Sequence, residues 1–307
     1  MIMKFAIQEF KDDREYRNLS VKTIESYMLT LNEFQRFCAE HEIININDIR
    51  QSTVKSYLLY CQKERNNNPT TRNSKLHTIK IFMNYLQEIE LFEAKNNPIK
   101  GLRFVKEDIQ IQTFTDYQVK QMLNYYRRKK ERRYSFHAYR NYTMIVFLLG
   151  TGARLGEMRN LTWHNTDLLQ GHIVLYGKKR EQSSIPLTEK LIKELMEYKI
   201  FCEQYFGKLS DHVFVSEDKN EPLAVDSIKG IFKRLKNDMG WTDVRVSAHT
   251  FRHYFAKQYL MSNGDLFSLQ KMLRHSQISM TQRYVNLFAN DLKKLNNEFN
   301  PLNNIDV

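Results

Sequence analysis

The chain has 307 residues, 42% of them hydrophobic and 27% charged, with 47 Lys+Arg against 35 Asp+Glu for a formal net charge of +12. That length suits two domains and that composition a soluble globular protein with a real core, while the basic surplus favours a polyanionic partner, although a merely basic surface would carry the same charge. The three cysteines, Cys38, Cys61 and Cys202, are far apart and odd in number, so neither a disulfide framework nor a CxxC metal pair follows from them, and the longest apolar run, Met144 to Leu149, is far too short to span a bilayer.

The N-terminus, Met1-Ile-Met-Lys-Phe5, lacks a signal-peptide core, so a cytoplasmic protein is expected. Residues 1 to about 95 read as helices. Val21, Ile24, Tyr27, Leu31, Phe34 and Phe37 recur at steps of three and four behind a plausible N-cap, Ser20. A second periodic stretch runs from Val54 to Cys61 and a third from Ser74 to Leu91, with the turn cluster Arg65-Asn-Asn-Asn-Pro69 between them. No strand pattern appears, so residues 1–98 are expected to form a helical bundle. Asn96-Asn-Pro98 ends it. Residues 99–112 lack a helical period and carry Lys100, Arg103 and Lys106, which suits a linker lying along a polyanion or an exposed connector equally.

Residues 113–307 form the second expected domain. Thr115-Asp-Tyr-Gln opens a capped helix, and Arg127-Arg-Lys-Lys-Glu-Arg-Arg133 follows, a run that either grips phosphate or forms a solvated face. Asn141 to Leu149 is an apolar helix halted at Gly150-Thr-Gly152. Leu168 to Tyr176 and Gln182 to Leu187 read as a short β-hairpin around Gly177-Lys-Lys-Arg-Glu181. The rest is helical, giving a mainly α protein with one small β-hairpin or sheet.

Six residues across this half stand out: Arg154, Lys178, His249, Arg252, His275 and Tyr284. Two arginines, two histidines, a lysine and a tyrosine suffice to cut a phosphodiester without a metal. Arginine forks hold phosphate oxygens, histidine and lysine move protons, and tyrosine supplies the attacking oxygen. Arg154 follows a Gly-rich turn at a helix start, where a guanidinium and free N–H groups converge on an anion; an Arg154–Glu157 ion pair fits the same spacing. His249 and His253 at i and i+4 would suit zinc, but Thr-Phe-Arg between them lacks the Glu of a HExxH site and Arg252 would repel a cation. Neither metal nor cofactor is expected.

Gly150-Thr-Gly-Ala-Arg154-Leu-Gly-Glu157, the Gly177-Lys178 turn, Ala248-His-Thr-Phe-Arg-His-Tyr-Phe-Ala256 and Met272-Leu-Arg-His-Ser-Gln-Ile-Ser-Met-Thr-Gln-Arg-Tyr284 resemble, in order and spacing, the tyrosine recombinase or phage integrase family. The resemblance extends to residues 1–95, which look like that family's helical core-binding domain. It implies that Arg154 and Arg252 hold the scissile phosphate and that Tyr284, nine residues after His275, is the nucleophile. It makes His249 a proton-transfer partner for the tyrosine hydroxyl and His275 a phosphate ligand. Lys178 becomes the general acid for the leaving 5′ oxygen, with Lys179 and Arg180 beside it leaving the choice within the loop open. Where the family often has Gly before the second histidine, this chain has Arg274.

The function so implied is site-specific recombination through a 3′-phosphotyrosyl link and a Holliday junction, for integration, excision or resolution of a mobile element or replicon. The expected partners are duplex DNA with inverted-repeat core sites and other copies of the chain, four on two sites, with no membrane. Leu292, Leu295 and Phe299 in the tail would dock on a neighbouring subunit or on their own domain. The chain opens almost directly on the core-binding domain, as compact Xer-like, transposon or phage members do. A type IB topoisomerase-like enzyme and an inactive DNA-binding regulator are the competing readings.

Overall fold

The computed structural model describes all residues except 93, 108–110, 134, 178–181, 289–295, 298–299 and 305–307. The chain divides into two compact units, residues 1–110 and 111–307.

The first unit packs four long helices, α1 (Met3–Tyr16), α2 (Val21–Glu40), α3 (Gln51–Lys63) and α4 (Pro69–Glu88). Ser20 caps α2 by accepting from the Thr23 N–H, and Asn68 caps α4 from Thr71 with Pro69 in the first turn, where its missing donor costs nothing. The inward faces meet in an aromatic core. Phe10 stands edge-on to Phe82 at 5.4 Å and Phe34 tilts onto Tyr57 at 5.0 Å. Emptying one such position costs about 3–5 kcal/mol. Residues 97–107 are tied to this bundle: Leu102 is buried, Lys80 donates to its carbonyl at 2.6 Å, and Asn73 donates to the Val105 carbonyl at 2.8 Å. Lys100, Arg103 and Lys106 stay exposed along that strap.

The second unit holds α5 (Asp116–Arg133), α6 (Phe136–Thr151), α7 (Leu155–Arg159), α8 (Glu189–Phe206), α9 (Val225–Asp238), α10 (Ala248–Met261), α11 (Leu266–Leu273) and α12 (Ile278–Phe288). Its sheet is three-stranded and antiparallel in the order β1 (Thr166–Asp167), β2 (His172–Tyr176), β3 (Gln182–Pro186). The register sets Ile173 opposite Ile185, and both are buried with Leu175, the alternation expected of a half-buried sheet. Tyr176 pairs with Gln182 at the last position of this register. The basic run of α5 is split. The Lys130 ammonium lies 4.0 Å over the Tyr139 ring and 3.7 Å from Glu197, while Arg127 and Arg128 are exposed. The three cysteines are free and buried. Among the described residues no helix is long and apolar enough to cross a membrane.

Candidate active site

The site begins where α6 stops. Gly152 takes φ +58 at the helix end, and a Cβ there would lie 2.8 Å from Phe255 and 3.0 Å from Leu273, so this position needs glycine on both counts. The turn sets Arg154 as N-cap of α7. Its backbone N–H donates to Glu157 Oε2 at 2.7 Å and its Nη1 to Glu157 Oε1 at 2.7 Å. Of the two readings of this arginine, the ion pair is present, and it holds the guanidinium in place while leaving it partly exposed, with 30% of the side chain accessible.

Arg252 projects from α10 and is only 3% exposed. Its Nη1 donates to the Gly152 carbonyl at 2.8 Å, and its Nη2 donates to the Leu273 carbonyl. The next carbonyl, that of Arg274, accepts from Arg154 Nη2 at 3.1 Å. Two successive carbonyls at the C-terminus of α11, where they lack intrahelical donors, thereby hold both arginines. Arg274 takes the left-handed conformation that makes this turn, with φ +55. Its own guanidinium turns inward and grips Glu157 through Nε at 3.3 Å and Nη2 at 2.6 Å.

His275 follows immediately. Its Nδ1 lies 2.8 Å from the hydroxyl of Thr281, a fully buried residue of α12, and its ring is parallel to that of Tyr284 with centroids 6.4 Å apart. Tyr284 is buried within this same unit, 4% exposed, beside Ala256, Leu269 and Leu273. His253 Nδ1 lies 2.9 Å from its hydroxyl, and Arg252 also reaches this phenol. The family resemblance pointed to His249 for that place; the structure puts there His253, one turn further along α10. His249 is exposed one turn earlier, its ring 5.7 Å from that of His253. The Gly177-Lys178 loop, with Lys178 and Lys179, lies outside the described residues, as do Leu292, Leu295 and Phe299 of the tail.

Three guanidinium groups and one carboxylate dominate the electrostatics. Burial and the charges of Arg154 and Arg274 push the pKa of Arg252 down to about 9, which leaves it cationic at neutral pH. Burial and the same cations hold His275 neutral, its pKa at about 3, and burial with His249 and Arg252 lowers that of His253 to about 4. Burial raises the Tyr284 phenol above its ordinary range despite the pull of Arg252 and Arg154. Glu157 stays ionised below the usual carboxylate range, the pairing with Arg274 and Arg154 outweighing a burial penalty that acts the other way. A pocket with surplus positive charge, neutral imidazoles and a protonated phenol beside one of them suits an anion attacked by that phenol.

Three further side chains stand in this pocket to which the sequence assigned no role there: His253, Thr281 and Arg274. The signal for His253 was its i+4 spacing from His249, and for Thr281 its position one helical turn before Tyr284 on α12. Arg274 carried a weaker signal, the replacement of an expected glycine.

The model described as phage integrase family matches residues 112–291, and that of the phage integrase N-terminal SAM-like domain matches residues 7–93. Among relatives, tyrosine recombinase XerD of Staphylococcus aureus is 27% identical over 288 residues, covering 93% of this chain and 94% of its own. Tyrosine recombinase XerC of Leptospira interrogans is 24% identical, over 93% of this chain and 89% of its own. Among solved structures, a Tn1549 transposon integrase in complex with transposon right end DNA aligns with a TM-score of 0.75 at 17% identity, covering 92% of this chain and 94% of its own. XerH recombinase bound to a palindromic difH substrate aligns with a TM-score of 0.74 at 19% identity, covering 94% and 82%. The catalytic-domain match alone spans more than half of the sequence, and the site beneath it carries the arginines, histidines and tyrosine in order. The chain belongs to the phage integrase family and is a tyrosine-type site-specific DNA recombinase.

Proposed function

We propose that Tyr284 is the nucleophile of a strand-transfer reaction on duplex DNA, with Arg154 and Arg252 as the arms that hold the scissile phosphate. The observation that carries this reading is the arrangement around the Tyr284 hydroxyl, 2.9 Å from His253 Nδ1 on the same helix that supplies Arg252. The phenolic oxygen attacks phosphorus while the bond to the 5′ oxygen breaks. His253 takes the phenolic proton, and a cation of the 177–181 loop, Lys178 by resemblance, protonates the departing oxygen. His275, neutral, donates to a non-bridging oxygen as charge builds in the pentacoordinate state. The 3′-phosphotyrosyl link conserves the bond energy, and attack by a 5′-hydroxyl of the partner strand reverses the chemistry onto a new duplex.

Two rounds of this exchange pass through a Holliday junction. A λ integrase tetramer has been captured on one, at a TM-score of 0.73 and 16% identity to this chain. Four copies of this chain would assemble on two core sites with inverted repeats, the tail beyond α12 docking on a neighbour. This reading places the enzyme in the cytoplasm, with its DNA. A suicide substrate nicked beside the cut tests the first step: the wild type accumulates a covalent protein–DNA adduct and Tyr284→Phe forms none. An adduct with Tyr284→Phe would remove Tyr284 as nucleophile. A two-site plasmid tests the exchange, since relaxation without deletion or inversion products would leave only nicking and resealing.

A further inference from the structure

Arg274 occupies a backbone conformation that L residues other than Asn and Asp seldom adopt, at φ +55 and ψ +48. Glycine would sit there without strain. The arginine is instead buried, its side chain 5% exposed, and spends its guanidinium on Glu157, whose side chain is 4% exposed. Glu157 therefore receives Arg154 on one side and a bidentate Arg274 on the other, and Arg274 returns its carbonyl to Arg154 at 3.1 Å.

Remove Arg274 and the geometry changes in a definite way. Glu157 would face Arg154 alone, a buried carboxylate with one cation beside it. It would draw that guanidinium inward and cancel part of the charge meant for phosphate. With Arg274 present the carboxylate is already neutralised, so Arg154 can be oriented by Glu157 without being consumed by it. Arg154 keeps N–H groups directed away from both tethers.

We infer that Arg274 is a positioning residue for strand cleavage: it neutralises Glu157 so that Arg154 is held in place yet remains free to bind the scissile phosphate. This rests on the proposed role of Arg154. It does not touch substrate in this scheme and acts through Glu157.

The test is single-turnover adduct formation on a suicide substrate at saturating DNA, with DNA affinity measured in parallel by the same protein preparations. Wild-type adduct formation checks the underlying function independently of Arg274. Arg274→Gly, which relieves the backbone, slows adduct formation by about 10- to 100-fold while changing affinity by less than about threefold. Adding Glu157→Gln to Arg274→Gly recovers part of the rate, because the unneutralised carboxylate is gone. Arg274→Lys, which restores charge without the fork, falls between wild type and Arg274→Gly and serves as the readout if the glycine variant does not fold. An Arg274→Gly or Arg274→Lys enzyme that cleaves at the wild-type rate overturns the inference. So does a double variant slower than Arg274→Gly alone, which would mark a purely structural role.

Discussion

The Nδ1 atom of His253 stands 2.9 Å from the hydroxyl of Tyr284. Both groups are in the protonation state that proton transfer needs: the phenol keeps its proton because burial outweighs two nearby arginines, and the imidazole is neutral because its pKa has fallen to about 4. A neutral imidazole bonded to a phenol through Nδ1 can take the proton as the oxygen attacks. Replacing His253 by Ala should therefore slow adduct formation by about 10²-fold or more, with DNA affinity kept. A larger loss with His249→Ala than with His253→Ala would return the base to His249. NMR titration of the free protein gives a second check: the His253 ring should stay neutral down to about pH 4, and a midpoint near the ordinary 6.5 would remove the premise.

Neutral, half-buried histidines in a cationic pocket also tie stability to pH. The unfolded chain protonates each near the ordinary 6.5, whereas the folded chain resists until about 4 for His253 and about 3 for His275. Between those values the unfolded state binds more protons, so stability rises with pH and is lost as pH falls from 6.5 toward the folded values. Glu157, with its pKa lowered, acts in the same direction at the acid end. The urea midpoint of unfolding should accordingly drop between about pH 7 and about pH 5. The His253→Gln, His275→Gln double variant should lose less of its own midpoint over the same interval, and an equal loss would place the titrating groups elsewhere.

How much of this could be read beforehand divides along one line. That Arg154, Arg252, His275 and Tyr284 share one pocket was legible as an expectation, because each lies in a local motif whose order survives folding. The contact of His253 with the Tyr284 hydroxyl was not, since it joins α10 to α12, which is remote in sequence. The helix Met3–Tyr16 went unplaced although Met3, Ala6, Ile7 and Phe10 repeat at helical steps, because Ile2 offers no side-chain cap to mark its start. The basic run of α5 reads as one charged face, yet Lys130 lies on aromatic rings, a contact set by α6 and α8 rather than by its neighbours in sequence.

Thr281 makes a more delicate claim. Its hydroxyl is 2.8 Å from His275 Nδ1, and it is fully buried on α12. If that hydroxyl donates, the imidazole proton sits on Nε2, where a phosphate oxygen could receive it. Thr281→Val keeps the shape and removes the donor, and should slow cleavage on the order of tenfold, the worth of one such hydrogen bond. Thr281→Ser should stay near wild type. A valine variant at full rate would leave the tautomer to some other group.

With Tyr284 as the proposed nucleophile, its placement bears on which copy of the chain cuts. It lies 4% exposed in the pocket of its own unit, bonded to a histidine of the same chain and packed with Leu269 and Leu273. Delivering it into another copy's pocket would require α12 to leave its packing against Leu269 and Leu273 of its own unit. Cleavage in cis is therefore expected. Mixing Tyr284→Phe with Arg252→Ala on one suicide substrate tests it, because the first supplies a pocket without a nucleophile and the second a nucleophile without a complete pocket. In cis neither can act and the mixture stays as inactive as its parts. Adduct formed by the mixture, carried on the Arg252→Ala chain, would show the tyrosine delivered across the interface and would require α12 to leave the position it holds here.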